Sequence, residues 1–344
     1  MYIIGLMSGT SLDGLDIALV RFEDAWHFEL LAAETIDYPQ EWAERLSTLE
    51  HASAYEYALT DVRLGHYIGQ CVNAFRQKHP IEVNLIASHG HTIFHQPHLG
   101  LTTQIGDGDA IAAETHLPVV SNFRTLDVAL GGQGEPLVPM GDRLLFGRYD
   151  ACLNLGGFAN ISFEHEGQRI AFDICPCNMA LNHLARLLGQ PYDRDGLMAR
   201  QGKVDANLLE RLNAIEYYAL PAPKSLGKEW YKAQFEPMLE TDEGSLLSTT
   251  TEHIAMQLAS VVNTHNIKHL LVTGGGAHNT FLLERLRSLT PGCDTVVPAR
   301  EVIDYKEAIV FALLGYLRVT GQTNTLASAT GASRDSIGGT LSGL

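Results

Sequence analysis

Lysine and arginine are scarce. The 344-residue chain carries 24 of them against 40 aspartates and glutamates, a formal net charge of −16. That balance repels nucleic acid and anionic lipid, and no local Lys/Arg run reverses it, so neither is expected as a partner. A phosphorylated ligand must then be held mainly by backbone amides, a metal ion and a few local cations. Cysteine is sparse as well. Cys71, Cys152, Cys175, Cys177 and Cys293 are odd in number and scattered, which excludes a disulfide framework and points to a reducing compartment, the cytoplasm. No apolar run approaches membrane-spanning length. No basic stretch precedes the first apolar residues, and residues 8–16 interrupt them too early for a secretory leader. A G-x-G-x-x-G fingerprint with its downstream acidic residue is missing too, which counts against a dinucleotide enzyme.

What is present is core material. Apolar residues make up 45% of the chain and charged residues 19%, a globular composition, and the length calls for two domains. The opening stretch is Gly5-Leu6-Met7-Ser8-Gly9-Thr10-Ser11-Leu12-Asp13-Gly14-Leu15-Asp16. It lies between two apolar strands, residues 1–4 and 17–20, and reads as a hairpin tip. Its glycines free the backbone, while Ser8, Thr10 and Ser11 add hydroxyls, so successive N–H groups would form a nest for phosphate.

Residues 26–36 supply a third antiparallel strand. An amphipathic helix follows over 55–75, with Tyr55, Leu59, Val62, Tyr67, Cys71, Val72 and Phe75 on its apolar face. Then come a short strand at 83–88, a helix at 109–116 and a strand at 118–121. The same order of three strands, helix, strand, helix, strand returns between 151 and 297, an internal repeat of architecture. Two similar α/β domains facing each other would leave a ligand cleft. Gly131-Gly132-Gln133-Gly134-Glu135-Pro136 lies between the copies and is the expected hinge. The expected domains are 1–130, joined by 321–344, and 131–320.

Three more stretches carry chemistry. Asn154-Leu155-Gly156-Gly157-Phe158-Ala159-Asn160 is a second Gly-rich hairpin tip, at the place equivalent to the first. Thr273-Gly274-Gly275-Gly276-Ala277 ends a strand and leads into a helix. Three adjacent glycines suit bare backbone lying against a purine or ribose. Asp173, in Phe172-Asp173-Ile174-Cys175-Pro176-Cys177-Asn178, sits at a strand end before a helix, placed to accept a proton during phosphoryl transfer. Ser88-His89-Gly90-His91-Thr92-Ile93-Phe94-His95 lacks the partners of a tetrahedral zinc site and reads as polar pocket lining. Arg124 is expected to pair with Asp127 or reach a ligand oxygen, and Glu307 to sit in the first turn of a last helix over 306–319.

These stretches, with Gly131-Gly132-Gln133-Gly134 and Thr330-Gly331-Ala332, resemble the anhydro-N-acetylmuramic acid kinase family of the actin, hexokinase and sugar-kinase superfamily. The matches span nearly the whole chain. The resemblance implies two actin-like (ribonuclease H-like) domains across a cleft and an enzyme that uses ATP and Mg2+ in cell-wall sugar recycling. Water would attack the anomeric carbon of a small anhydrosugar with Asp173 as general base, and the released oxygen would take the γ-phosphoryl group. Gly9, Thr10, Ser11, Leu12, Asp13, Gly14, Leu15 and Asp16 would hold ATP phosphates, aided by Gly156 and Gly157, with Gly274, Gly275 and Gly276 at the nucleoside. Thr92, Arg124 and Glu307 would line the sugar pocket. Metal ligands stay unassigned, and a homodimer stays open. Cys175 and Cys177 replace glycines found in many members, Asn182 stands where an aspartate is frequent, and Thr125-Leu126 stand where some members carry arginines. Another anhydrosugar, an ordinary sugar hydroxyl, or a nucleotide-switched binding protein without transfer are the alternative readings.

Overall fold

The computed structural model describes residues 1–9, 12, 14–222, 224–239 and 243–343. Along the chain the strands are β1 (Tyr2–Ser8), β2 (Gly14–Phe22), β3 (Phe28–Asp37), β4 (Leu85–Gln96), β5 (Leu101–Ile105) and β6 (Val119–Ser121). They continue with β7 (Ala151–Leu155), β8 (Phe158–His165), β9 (Gln168–Pro176), β10 (His269–Thr273), β11 (Asp294–Val296) and β12 (Thr340–Ser342). The chain divides into two units, Met1–Leu145 with Tyr305–Leu344, and Phe146–Asp304.

The sheet of the first unit runs β12-β6-β4-β1-β2-β3, with β5 paired to β4. β1 is antiparallel to β2 and parallel to β4. In the second unit the order is β11-β10-β7-β8-β9, with β7 antiparallel to β8 and parallel to β10. Strand for strand, β3-β2-β1-β4-β6 and β9-β8-β7-β10-β11 are one topology used twice, the actin-like (ribonuclease H-like) arrangement. The parallel pairs need helical crossovers, which is why strands and helices alternate in the sequence. Ile3, Ile4 and Leu6 of β1 and Leu85, Ile86 and Ala87 of β4 are all buried, as expected of central strands covered on both faces.

One of those covers is the helix Arg300–Val319. Gly5, in mid-β1, lies so close to it that a β-carbon there would stand 1.9 Å from the Ala308 carbonyl oxygen and 2.8 Å from the Ala312 nitrogen. Gly5 therefore serves helix-on-sheet contact and not a ligand. The helix Ala54–Lys78 starts at Ser53, whose side chain accepts from the Glu56 N–H, an N-cap. It buries Leu64, Ile68, Cys71, Val72 and Phe75. Tyr55 and Val62, placed on the apolar face by their spacing, are exposed instead, because the neighbouring helix Gly108–Thr115 covers only the later turns.

Other boundaries also move. β4 runs on to Gln96, so the histidine-rich stretch is strand, paired with β5. The last helix begins at Arg300, and its backbone leaves helical geometry at Tyr305 (φ −114°, ψ 15°), where the chain passes between units. Glu307 is thus inside the helix and not in its first turn. The segment 131–136, expected as a hinge, belongs to the first unit. There the Gly132 N–H donates to the Asp127 carbonyl (2.9 Å), the Gln133 N–H to that of Thr330 (2.8 Å) and the Gly134 N–H to Asp127 Oδ2 (2.7 Å).

Candidate active site

In the first unit the hairpin between β1 and β2 is shorter than its composition suggests. Thr10, Ser11 and Asp13 lie outside the described residues. Gly9 accepts from the Leu12 N–H at 3.3 Å, and Leu12 is held at φ 61°. Gly14 and Leu15 already belong to β2, and the Leu15 side chain is in the core, leaving only backbone for a ligand. Asp16 is half-buried and accepts from Thr35 Oγ1 at 2.6 Å. Ser8 is no phosphate donor. It is buried, with its Oγ 2.9 Å from His91 Nδ1 and accepting from the Tyr38 hydroxyl at 2.7 Å.

Arg124 collects the polar groups of this unit. Its Nε donates to His89 Nε2 (2.9 Å), and one terminal nitrogen donates to the Gly134 carbonyl and to Glu135 Oε2, both at 2.9 Å. An arginine only donates, so His89 Nε2 accepts and the His89 proton sits on Nδ1, donated to the Gly90 carbonyl at 2.8 Å. Asp127, the expected partner of Arg124, is taken by Gly134 N–H and Thr330 Oγ1. Burial pushes Glu135 up, but His95 and Arg124 outweigh it and hold the carboxyl below its ordinary value. Glu307 goes the other way. Its surface meets solvent, yet protein atoms crowd the carboxyl and raise its pKa; Arg124 opposes this, Asp16 adds to it, Lys306 opposes and Glu135 adds. Arg124, Asp16 and Glu135 therefore all act on Glu307. Thr92 lies between His89 and His95 on β4, and its hydroxyl accepts from Gln104 at 3.3 Å.

In the second unit Gly156 and Gly157 form the turn between β7 and β8. Their carbonyls accept from the N–H groups of Cys177, Asn178 and Met179 at 2.8–3.1 Å, so the start of the helix Asn178–Leu187 is satisfied by the turn. Of the three later glycines, two face protein. A β-carbon at Gly274 (φ +80°) would stand 2.4 Å from Asn154 Oδ1, and one at Gly276 would stand 2.7 Å from Leu155 Cβ. Gly275 and Gly157 are exposed, and the nearest atoms to an added β-carbon are at 3.7 and 3.8 Å. These two offer bare backbone.

Asp173 lies within β9, three residues before its end, and is half-buried. Its Oδ2 accepts from the Leu226 N–H at 2.8 Å, its own N–H donates to the Lys224 carbonyl at 3.1 Å, and its carbonyl accepts from the Tyr217 hydroxyl at 2.7 Å. Cys175 and Cys177 are fully buried in the core of this unit, and burial raises both thiols, Cys177 to about 12. Both thiols thus point inward. Among the described residues no group of three or more His, Cys, Asp or Glu side chains is arranged to hold a metal ion.

A profile of the anhydro-N-acetylmuramic acid kinase family matches residues 1–342. The chain is 38% identical to the anhydro-N-acetylmuramic acid kinase of Vibrio cholerae, covering 96% of this chain and 95% of that one. With the Shewanella baltica enzyme of that name the identity is 37% over 98% and 97% of the two chains. The Picosynechococcus enzyme is 35% identical over 96% and 97%. The chain belongs to the anhydro-N-acetylmuramic acid kinase family. It is a kinase, a phosphotransferase with an alcohol group as acceptor.

In this anhydro-N-acetylmuramic acid kinase family member, sequence reasoning named His89 and His95 as polar pocket lining but missed the roles of Glu135, Tyr217, Lys224 and Leu226. His89 and Glu135 hold Arg124, and His95 stands 3.3 Å from Glu135 Oε1; Tyr217, Lys224 and Leu226 surround Asp173. Nothing local signals them, since the contacts cross 11 to 53 positions of the chain. All five cysteines are free thiols. Among the described residues no helix is long and apolar enough to cross a membrane.

The buried histidines carry a pH prediction. Burial lowers His91 to about 4 and His253 to about 3, so both stay neutral in the fold while the unfolded chain takes up protons near 6.5. Their stabilisation is complete above that value and is lost as pH falls through it toward 4. The expected slope is about 1.4 kcal/mol per pH unit for each ring. Urea unfolding between pH 7 and 4.5 and ring titration by NMR check this; rings that titrate near 6.5 in the folded protein contradict it.

Proposed function

We propose that this kinase converts 1,6-anhydro-N-acetylmuramic acid, ATP and water into N-acetylmuramic acid 6-phosphate and ADP in the recycling of cell-wall sugar, in the cytoplasm. In this reading Asp173 takes a proton from water as its oxygen bonds to the anomeric carbon. The bond from that carbon to O6 breaks, and O6 bonds to the γ-phosphorus as the bond to the ADP oxygen breaks. The observation that carries it is the fastening of Asp173 at three atoms on a strand edge, the kind of restraint a general base requires.

Residues 9–16 and the turn Gly156-Gly157 hold the phosphates through backbone groups, and Gly275, with Gly274 and Gly276 shaping its turn, receives the nucleoside. The uncovered backbone at Gly157 and Gly275 fits such a ligand. Thr92, Arg124 and Glu307 orient the sugar. Mg2+ fits Asp16 and Glu307: both are hard oxygen donors, and their mutual repulsion is relieved by a cation that needs only one or two carboxylates besides phosphate. When bound, the ion neutralises charge on the transferring phosphoryl group.

A coupled ADP-release assay with 1,6-anhydro-N-acetylmuramic acid, 1,6-anhydro-N-acetylglucosamine and open N-acetylmuramic acid tests the reading. Fastest turnover is expected with the first. Faster turnover of the open sugar would replace bridge opening by direct phosphorylation of a hydroxyl.

A further inference from the structure

Among the described residues β9 is an edge strand of its sheet, and Tyr217, Lys224 and Leu226 meet it at Asp173. These residues engage three atoms of Asp173: its N–H through the Lys224 carbonyl, its C=O through the Tyr217 hydroxyl, and Oδ2 through the Leu226 N–H, at 3.1, 2.7 and 2.8 Å. Lys224 and Tyr217 are also joined to each other. Lys224 Nζ donates to the carbonyls of Tyr217 and Tyr218 at 3.1 and 3.3 Å and stands 4.7 Å from the centre of the Tyr217 ring, which packs on Trp230. We propose that Tyr217, Lys224 and Leu226 together position Asp173, with Tyr217 the decisive side chain and Lys224 the clasp that holds the three in register.

This rests on the reading of Asp173 as the base. An edge strand has one row of backbone groups with no partner strand, so a carboxylate there inherits the mobility of that edge. The Tyr217 phenol is buried, and burial, with the charges of Asp173 and Cys175, raises its pKa. It stays a donor and takes no part in proton transfer. Tyr218 supplies the control. It is adjacent, and its hydroxyl meets His253 Nε2 at 2.9 Å, away from Asp173.

The test is steady-state kinetics with 1,6-anhydro-N-acetylmuramic acid and ATP on Tyr217→Phe, Tyr218→Phe, Lys224→Met and Asp173→Asn, each with a melting curve. Tyr217→Phe and Lys224→Met are expected to lower kcat roughly 10- to 100-fold with either KM changed less than about twofold, the signature of a misplaced group. Tyr218→Phe is expected to keep kcat whatever its melting temperature. If Asp173→Asn is inactive while Tyr217→Phe turns over normally, or if Tyr218→Phe loses kcat equally, the positioning role is wrong and the base assignment stands. If Asp173→Asn turns over normally, the base assignment fails and this inference with it.

Discussion

Asp173→Asn is expected to lower kcat by about 10²- to 10⁴-fold, the range that a positioned general base supplies. The substitution is nearly isosteric, and an amide oxygen still accepts from the Leu226 N–H, so the fold and the contacts of Tyr217, Lys224 and Leu226 survive. ATP affinity should stay within about twofold, because the nucleotide is assigned to other residues. The loss should appear in kcat and kcat/KM together, marking a contribution made in the transition state and not in ground-state binding. Equilibrium titration with a nucleotide analogue beside the kinetic assay separates the two. Lost nucleotide binding with an intact melting curve would move Asp173 from base to ATP ligand.

Gly5→Ala should be the most damaging small substitution in the first unit. Its β-carbon would meet the Ala308 carbonyl oxygen at 1.9 Å and the Ala312 nitrogen at 2.8 Å. Both are backbone atoms of one helix, so no rotamer change relieves the clash. That helix is seated on small residues throughout: Gly5 pairs with Ala18 and Ala87 in the sheet, and a β-carbon on Gly315 would come within 2.6 Å of that of Ala87. Forcing the helix away opens this layer, at about 3 kcal/mol or more. In a unit of this size that is on the order of 6–12 °C in melting temperature. A calorimetric scan checks it, and an unchanged midpoint would mean that the helix does not lie on β1.

The doubled topology was legible because it depends on alternation of strands and helices, which survives divergence of the residues. The opening hairpin, its β2 and β3 partners and the position of Asp173 on the third strand of the second copy followed from the same pattern. Glycine was the least legible residue. Gly5, Gly274 and Gly276 read as backbone kept bare for a ligand, yet each lies against protein; a glycine records that something is close, not what it is. β5 was invisible because Thr102, Thr103 and Gln104 carry no apolar alternation, and without it β4 ended too early. Arg124 was singled out, but its partners His89 and Glu135 meet it only through tertiary folding. Tyr217, Lys224 and Leu226 carry no periodic pattern and gave no sign that they reach Asp173.

The central claim is that water opens the bridge at C1 and O6 takes the phosphoryl group. Turnover of 1,6-anhydro-N-acetylmuramic acid in oxygen-18 water, quenched within minutes and read by mass spectrometry, tests it most directly. The account predicts one heavy oxygen at C1 of the sugar 6-phosphate and none in its phosphoryl group. A product without label at C1, or with label in the phosphoryl group, would contradict it.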